Sequence, residues 1–323
     1  MIDFAGKRWW TLSISLAFFL LSAGALALFG LRPGIEFTSG SSFTFEFQEP
    51  VRQDELRSAL HDLGYGEARV QGAGTNIYLI RTRELENSPA LGATEGPVPP
   101  GELDAIQASL GEQFGPITRS DFATVSGTVS TEIARYATIA VIVAALAILL
   151  YISFAFRRVP KPFRYGTCAV IALAHDSFLI LGLFAILGEV RGTEVDTAFL
   201  TALLTVIGFS VHDTIVVFDR IRETVSHDPF IPFEEAVNAS LTETLARSLN
   251  TSFTVVITTL ALLLMGGVTI RNFLLVLLIG IIAGTYSSIG VAAQILVVWE
   301  NNDIGRFFRR RRGLSEEPEL EPA

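Results

Sequence analysis

Six long runs of apolar residues dominate the pattern of the chain. They cover residues 10–31, 136–156, 168–187, 198–218, 249–268 and 273–299. A helix needs about 20 apolar residues to cross the hydrocarbon core of a bilayer, and each run is close to or above that length. The pattern therefore predicts an α-helical membrane protein with six transmembrane helices.

A hydrophilic segment, residues 34–133, lies between the first two apolar runs and has a different periodicity. Residues 42–47 alternate phenylalanine with polar residues, which is typical of a half-buried strand. We expect helices at residues 53–63 and 102–114 and further strands at residues 68–71, 76–81 and 118–125. The order is then βαββαβ, which is the arrangement of a ferredoxin-like domain.

The chain therefore divides into four predicted parts. These are an N-terminus with the first transmembrane helix (1–33), an external ferredoxin-like domain (34–133), a bundle of five further helices (134–303) and a charged tail (304–323). Within the external domain, residues 84–100 are rich in Pro, Gly and Glu and lack periodicity. We expect this stretch to form a linker loop.

Composition and charge agree with a membrane protein. Half of the residues are apolar and only 18% are charged, with a mean hydropathy of +0.47, whereas a soluble domain carries about 25% charged residues. This composition excludes a soluble enzyme and a disordered chain, and the single cysteine excludes a disulfide scaffold. Residues 32–134 hold almost all of the net charge of −9, so the external domain offers no basic surface for nucleic acid.

Lysines and arginines cluster near the ends of the apolar runs, and all clusters fall on one side if there are six helices. The clusters are Lys7 and Arg8, then Arg157, Arg158, Lys161 and Arg164, then Arg220 and Arg222, and finally the arginines at 306 and 309–312. Such clusters mark the cytoplasmic side, so both termini are predicted to be cytoplasmic. The first run also imitates a cleavable signal peptide, but it exceeds the usual signal core of about 7–15 residues, so we expect a retained anchor.

A charge inside a membrane span is costly, so ionisable residues there indicate a functional site, and two of them stand out. Asp213 lies in the fourth run, and we expect it about 8 Å inside the cytoplasmic edge of the membrane. Arg247 lies just inside the start of the fifth span, at a comparable depth, so the two side chains are expected to meet. A structural ion pair that fixes helix packing is the alternative interpretation.

The fifth run also carries a polar stripe. Thr244, Arg247, Thr251, Thr254 and Thr258 recur at helical spacing, and Asn250 lies beside them. Lipid cannot satisfy hydroxyl groups, so the stripe is expected to face protein or water as part of a polar path. The alternative is that each hydroxyl bonds its own backbone.

Several further positions have weaker signals. Asp176 in the third run either joins the polar path or lies at the membrane interface, and His212 is expected to be a packing residue. Gly280, Gly284 and Ser288 are spaced by four in the sixth run, which favours close helix contact.

The sequence lacks the motifs of the common enzyme classes. It has no G-x-x-x-x-G-K-[ST] loop, no G-x-S-x-G and no H-E-x-x-H, and its four histidines have no metal-ligand spacing. We therefore expect no enzymatic activity, no metal and no cofactor.

Four motifs carry a resemblance to a known family. They are GIEFTSG at 34–40, DTIVVFDRIRE at 213–223, LARSLNTS at 245–252 and GTYSS at 284–288. Together they resemble the SecF branch of the SecD/SecF family, bacterial protein-export membrane proteins of the resistance-nodulation-division (RND) superfamily. The first motif departs from the family pattern G-I-D-F-T-G-G at Glu36 and Ser39.

The resemblance implies a partner and an energy source. The chain would pair with SecD in the bacterial inner membrane, and the pair would assist the SecYEG translocon by using the proton gradient to draw unfolded preprotein outward. Asp213 would be the intramembrane carboxylate of the family and Arg247 its arginine, while the external domain would contact SecD or the preprotein. Two alternatives stay open: a subunit of an RND-type small-molecule exporter, and a non-transporting scaffold of the translocon.

Overall fold

The computed structural model describes residues 3–85, 101–157, 159, 161–267 and 270–303. Its elements are α1 (Arg8–Phe29), α2 (Ile35–Thr38), β1 (Gly40–Phe47), α3 (Gln53–Asp62), β2 (Arg69–Gly74), β3 (Ile77–Thr82), α4 (Glu102–Phe114), β4 (Ile117–Val125), α5 (Gly127–Ala155), α6 (Pro162–Arg191), α7 (Thr197–His227), α8 (Phe233–Met265), α9 (Arg271–Ser287), a π-helical segment (Ser288–Ala292) and α10 (Ala293–Glu300). Most of the predicted linker, the tail 304–323 and Arg158 lie outside the described residues.

Six of these helical stretches are long and apolar enough to span a membrane, which confirms the prediction for the part of the chain that the structure describes. They are α1, α5, α6, α7, α8 and the continuous stretch from α9 through the π-helical segment to α10. The two ends of the described chain lie on one side of the bundle, the tail side, and the external domain lies on the other, the domain side.

Two of the membrane helices extend well beyond the apolar runs that predicted them. The fourth run ends at 218 but α7 continues to His227, and α8 begins at Phe233 although the fifth run begins at 249. Hydrogen bonding within a helix does not depend on the surrounding lipid, so a helix continues into water until a cap or breaker ends it. Apolar composition therefore located the centres of these helices and missed their ends.

The external domain is a four-stranded antiparallel sheet in the order β2-β3-β1-β4, which agrees with the predicted βαββαβ arrangement. Phe43, Phe45 and Phe47 alternate along β1 and are buried, as the period-two pattern predicts. They pack in one core with residues of the two helices: Leu56, Leu60, Leu103, Ile106 and Leu110. A single residue, Ser126, separates the end of β4 from the start of α5.

Inside the bundle, α6, α7 and the sixth span form the buried centre, whereas α1, α5 and α8 present much of their surface outward. Gly280 on α9 allows the closest approach to α7, because a Cβ atom there would lie 2.4 Å from Val206 Cγ2. Gly284 lies one turn further along, where a Cβ atom would be 3.0 Å from Ser210 Cβ. These two contacts hold α7 and α9 side by side at the depth of the candidate site.

A loop between α6 and α7 joins the external domain to the bundle. Val195 N donates to Arg32 O and Gly34 N donates to Val195 O, both at 2.8 Å. The neighbouring Glu194 side chain is 3% exposed and lies 3.0 Å from Arg81 and 3.5 Å from Arg69 of the sheet. Burial raises the pKa of Glu194, while the two arginines oppose that shift. This buried ion pair was not predicted from the sequence.

The segment before β1 has an unusual backbone. Ser39 has φ +65° and ψ 164°, a combination that is open almost only to glycine. Gly40 follows with φ +132°, and a Cβ atom there would lie 2.4 Å from Thr82 O. The two residues fold the chain tightly against β3, and glycine is required at the second of them.

Candidate functional site

Asp213 is near the midpoint of α7 and is 7% exposed. Ser288 Oγ donates a 2.5 Å hydrogen bond to Asp213 Oδ2. Among the described residues, Asp213 Oδ1 has no hydrogen-bond partner. The carboxyl group therefore has one oxygen that accepts from a hydroxyl and one oxygen without a partner among the described residues.

Asp176 is also buried, 2% exposed, and lies near the midpoint of α6 rather than near its end. Its Oδ2 accepts hydrogen bonds from Ser210 Oγ at 2.8 Å and from Ser287 Oγ at 2.6 Å. Its Oδ1 lies 3.1 Å from His175 Nδ1. Of the two interpretations of Asp176, the structure places it in the polar cluster of the bundle and not at an interface.

The sixth span supplies the hydroxyls for both carboxylates. Ser287 ends α9 and Ser288 begins the π-helical segment. A π-helical turn inside a longer helix is rare and is frequent at functional sites. Ser288 was predicted as a packing residue, and the structure adds a hydrogen bond to Asp213. The only signal in the sequence was a pair of adjacent serines within an apolar run.

Arg247 does not meet Asp213 in this structure. It is near the midpoint of α8 but on its exposed face, and no ion pair joins the two among the described residues. The inward face of α8 is instead formed by small hydroxyl residues: Thr244, Ser248, Ser252 and Thr259. Ser252 Oγ lies 2.5 Å from Thr285 Oγ1 of α9, so this face packs on the sixth span. The expected contact fails because helical spacing turns Arg247 away from that face.

Three threonines of the predicted stripe share the exposed face with Arg247, whereas Thr244 is buried on the inward face. Thr251, Thr254 and Thr258 each donate to the carbonyl four residues earlier, at 2.8–3.0 Å. These are the backbone hydrogen bonds of the alternative interpretation. Asn250 is exposed beside them. The hydroxyls are thus satisfied within α8, while their surface stays uncovered by the rest of the chain.

A polar groove of about 300 Å³ lies between α7 and α8 towards the tail side. It is lined by Val216, Asp219, Arg220, Glu223, Glu243, Thr244 and Arg247. Arg220 pairs with Glu223 and also with Glu243, which bridges the two helices. Arg247 therefore borders a polar groove at one end of the exposed stripe.

His212 is one turn before Val216 on the exposed face of α7. It is exposed, so the packing expected of it is not made by the described residues of this chain. His212 on α7 and the polar stripe on α8 thus lie on neighbouring faces, within the membrane-spanning helices, and are not covered by other described residues. Lipid tails offer no hydrogen bonds to such groups, so we expect this surface to contact protein or water.

The described residues contain no group of three or more His, Cys, Asp or Glu side chains arranged to hold a metal ion. The chemistry of the site is that of carboxyl and hydroxyl groups inside an apolar bundle, which suits proton exchange.

The sequence matches two protein-family models. Residues 106–302 match the model "Protein export membrane protein SecD/SecF, C-terminal", and residues 24–51 match the "SecD/SecF GG Motif". The chain belongs to the SecD/SecF family. The second match contains Ser39 and Gly40, the tight segment before β1.

Individual relatives support the assignment. The chain is 47% identical to "Protein translocase subunit SecF" of Thermobaculum terrenum, over 96% of this chain and 98% of that protein. It is 32% identical to "Protein translocase subunit SecDF" of Thermus thermophilus, over 93% of this chain but 38% of that protein. The crystal structure of SecDF from Thermus thermophilus superimposes with a TM-score of 0.78 at 31% identity, covering 93% of this chain and 39% of that one. In those fused relatives, a SecF-like part is thus joined covalently to a larger remainder.

Proposed function

We propose that this chain is the SecF-type half of a complex that uses the proton gradient to assist Sec-dependent protein translocation across the bacterial inner membrane. The observation that carries the proposal is Asp213, a buried carboxyl group at the middle of a membrane helix with one oxygen left open. Carboxyl groups at this depth are rare, because a charge there is costly unless it has a task. Taking up and releasing a proton is such a task.

The energy available matches a conformational change. One elementary charge that crosses 100 mV releases roughly 2.3 kcal/mol. That amount is sufficient to change the populations of two conformations by a factor of about 50, since 1.4 kcal/mol corresponds to a factor of ten. A proton that enters the bundle at Asp213 therefore shifts the arrangement of the helices that carry the external domain, which acts on the polypeptide as it emerges.

The partner that we propose is SecD. Arg247, Asn250 and the threonine stripe are exposed on α8, and a second six-helix half would cover them and complete a polar path to Asp213. The names of the Thermus thermophilus and Bacillus subtilis relatives, both "Protein translocase subunit SecDF", support the pairing. Asp176 lies in the same buried layer and belongs to the proposed path.

The proposed location has both termini in the cytoplasm and the external domain outside. The basic residues Arg8, Lys161 and Arg164 lie at tail-side helix ends, which supports this orientation. On the outside the domain would meet preprotein delivered by SecYEG. An RND-type small-molecule exporter fits less well, because its external region is far larger than the single domain of this chain.

The test is export by the reconstituted complex with and without an imposed proton gradient, normalised to the amount of assembled complex. Asp213→Asn keeps the shape of the side chain but cannot release a proton, so we expect assembly to survive and the response to the gradient to be lost. Asp219→Asn is the matched control, because Asp219 lies on the same helix but is exposed and paired with Arg222 at 2.6 Å. An equal gradient response in Asp213→Asn and wild type would favour the scaffold interpretation instead.

A further inference from the structure

Two adjacent serines in the sixth span each hold a different buried carboxylate. Ser287 donates to Asp176 on α6 and Ser288 donates to Asp213 on α7. Successive side chains in an α-helix point about 100° apart, so neighbouring hydroxyls reach two different helices. The junction between α9 and the π-helical segment thus lies between both carboxyl groups.

Each of these hydroxyls also has a second acceptor on its own helix. Ser288 Oγ lies 3.0 Å from Thr285 O, and Ser287 Oγ lies 3.2 Å from Gly284 O. A serine hydroxyl carries one proton, so it donates to one acceptor at a time. Ser288 therefore has two alternative orientations: towards the carboxylate or towards the backbone.

We infer that Ser288 is a positioning residue that reports the protonation state of Asp213 to the sixth span. When Asp213 is charged, the Ser288 hydroxyl donates to Oδ2, as in the structure. When Asp213 takes up a proton at Oδ2, that O–H donates to Ser288 Oγ, and the serine hydroxyl rotates to donate to Thr285 O. One proton is added to the carboxyl group, and the serine keeps its own proton throughout.

This inference rests on the proposed proton exchange at Asp213. It adds a physical link between that exchange and the helix opposite α7. The rotation changes a hydrogen bond at Thr285 O, one turn before the π-helical segment begins. Backbone geometry there is already irregular, so a change of one hydrogen bond acts where the helix is least constrained.

The second carboxyl group has a different environment. Asp176 Oδ2 accepts two hydroxyl donors, and its other oxygen faces His175, whereas Asp213 has one donor and an open oxygen. Among the described residues, Ser288 is the sole hydrogen-bond donor to Asp213, so its removal changes the hydrogen bonding of that carboxyl group most. Ser288 is therefore the one of the two serines to test.

The experiment is a pH titration of the full chain with its SecD-type partner in vesicles, followed by infrared difference spectroscopy. The carbonyl band of protonated Asp213 is identified by its disappearance in Asp213→Asn. In Ser288→Ala we expect this band to shift in frequency, because the protonated carboxyl group loses the hydroxyl that it contacts in wild type. Ser288→Cys keeps the volume but donates weakly, so it should give a smaller shift in the same direction.

The control is Ser252→Ala, which removes a buried hydroxyl that contacts the same helix at Thr285 but no carboxyl group. It should leave the frequency of the band as in wild type. A titrating Asp213 band that is identical in wild type and Ser288→Ala would overturn the role of Ser288 while leaving proton exchange in place. If no band is lost in Asp213→Asn, the proposed proton exchange itself fails, and the inference fails with it.

Discussion

Arg81 Nη1 lies 3.0 Å from a carboxylate oxygen of Glu194, so a strand of the external domain is paired with the loop between two membrane helices. Asn272 at the start of α9 donates to the backbone oxygen of the same glutamate at 3.3 Å. Removing two charges from water costs about as much as their attraction returns, so a buried pair adds little net stability. The pair therefore fixes where the domain sits relative to α7 and α9 more than it strengthens the fold.

The pH dependence of stability tests this pair. Burial raises the pKa of Glu194, so its carboxyl group holds a proton more tightly in the folded protein than in the unfolded chain. The resulting stabilisation is complete below the ordinary pKa of 4.5 and is lost as the pH rises through the raised value. We expect the melting temperature of wild type to fall relative to Glu194→Gln over that pH range.

Arg81→Gln provides the second arm of that measurement. Arg81 is the larger of the two arginine influences that oppose the burial of Glu194. Without Arg81 the charged form of Glu194 is less stabilised, so the pKa of Glu194 rises further. The melting temperature of Arg81→Gln should therefore fall, relative to the double variant Glu194→Gln/Arg81→Gln, over a range that extends to higher pH. A difference in melting temperature that does not change with pH would contradict the assignment.

Ser39→Gly should raise the stability of the protein. The φ and ψ angles of Ser39, +65° and 164°, lie in a region that costs a residue with a side chain about 1–3 kcal/mol. Glycine adopts these angles without that strain, so we expect a higher melting temperature of the full chain. Ser42→Gly in regular strand β1 is the control, and it should lower the melting temperature because glycine weakens a strand interior.

Gly280→Ala should destabilise the contact between α7 and α9. The added methyl group would lie 2.4 Å from Val206 Cγ2, too close for an ordinary contact, and overpacking of this kind costs about 1–3 kcal/mol. Val206→Ala removes the opposing methyl groups, so the double variant Gly280→Ala/Val206→Ala should recover most of the loss. Thermal unfolding of the four proteins measures the coupling, and additive losses would show that the two residues do not meet.

The orientation of the chain has a direct test. A protease added outside intact spheroplasts should cut only within residues 34–133 and should leave the arginines at 309–312 intact. The same protease should cut those arginines once the membrane is opened. Cleavage of these arginines from outside in sealed cells would contradict both the orientation and the number of six transmembrane helices.

Patterns of single residues predicted the architecture well. Apolar runs located all six spans, and the alternation of Phe43, Phe45 and Phe47 located the first strand of the sheet. The contacts within the site could not be predicted as well, because they depend on which face of each helix packs against which neighbouring helix. Arg247 shared a helical stripe with polar residues, but only packing shows that α8 turns Ser252 inward instead.

Other features had no local signal at all. The pairing of Glu194 with Arg81 joins residues far apart in the chain, and no spacing rule relates them. The π-helical turn at Ser288 inserts into an otherwise regular apolar helix, so periodicity alone places its hydroxyls only approximately.

The single residue between β4 and α5 makes the external domain a lever arm. Strand β4 has nine residues, so it reaches about 30 Å from the membrane helix at 3.3 Å per residue. A tilt of α5 by about 5°, transmitted rigidly through Ser126, would move the far end of a strand of that length by about 2.6 Å. A small rotation of α5 would thus become a larger displacement at the far end of the sheet, and the Arg81–Glu194 pair forms a second connection between the domain and the bundle.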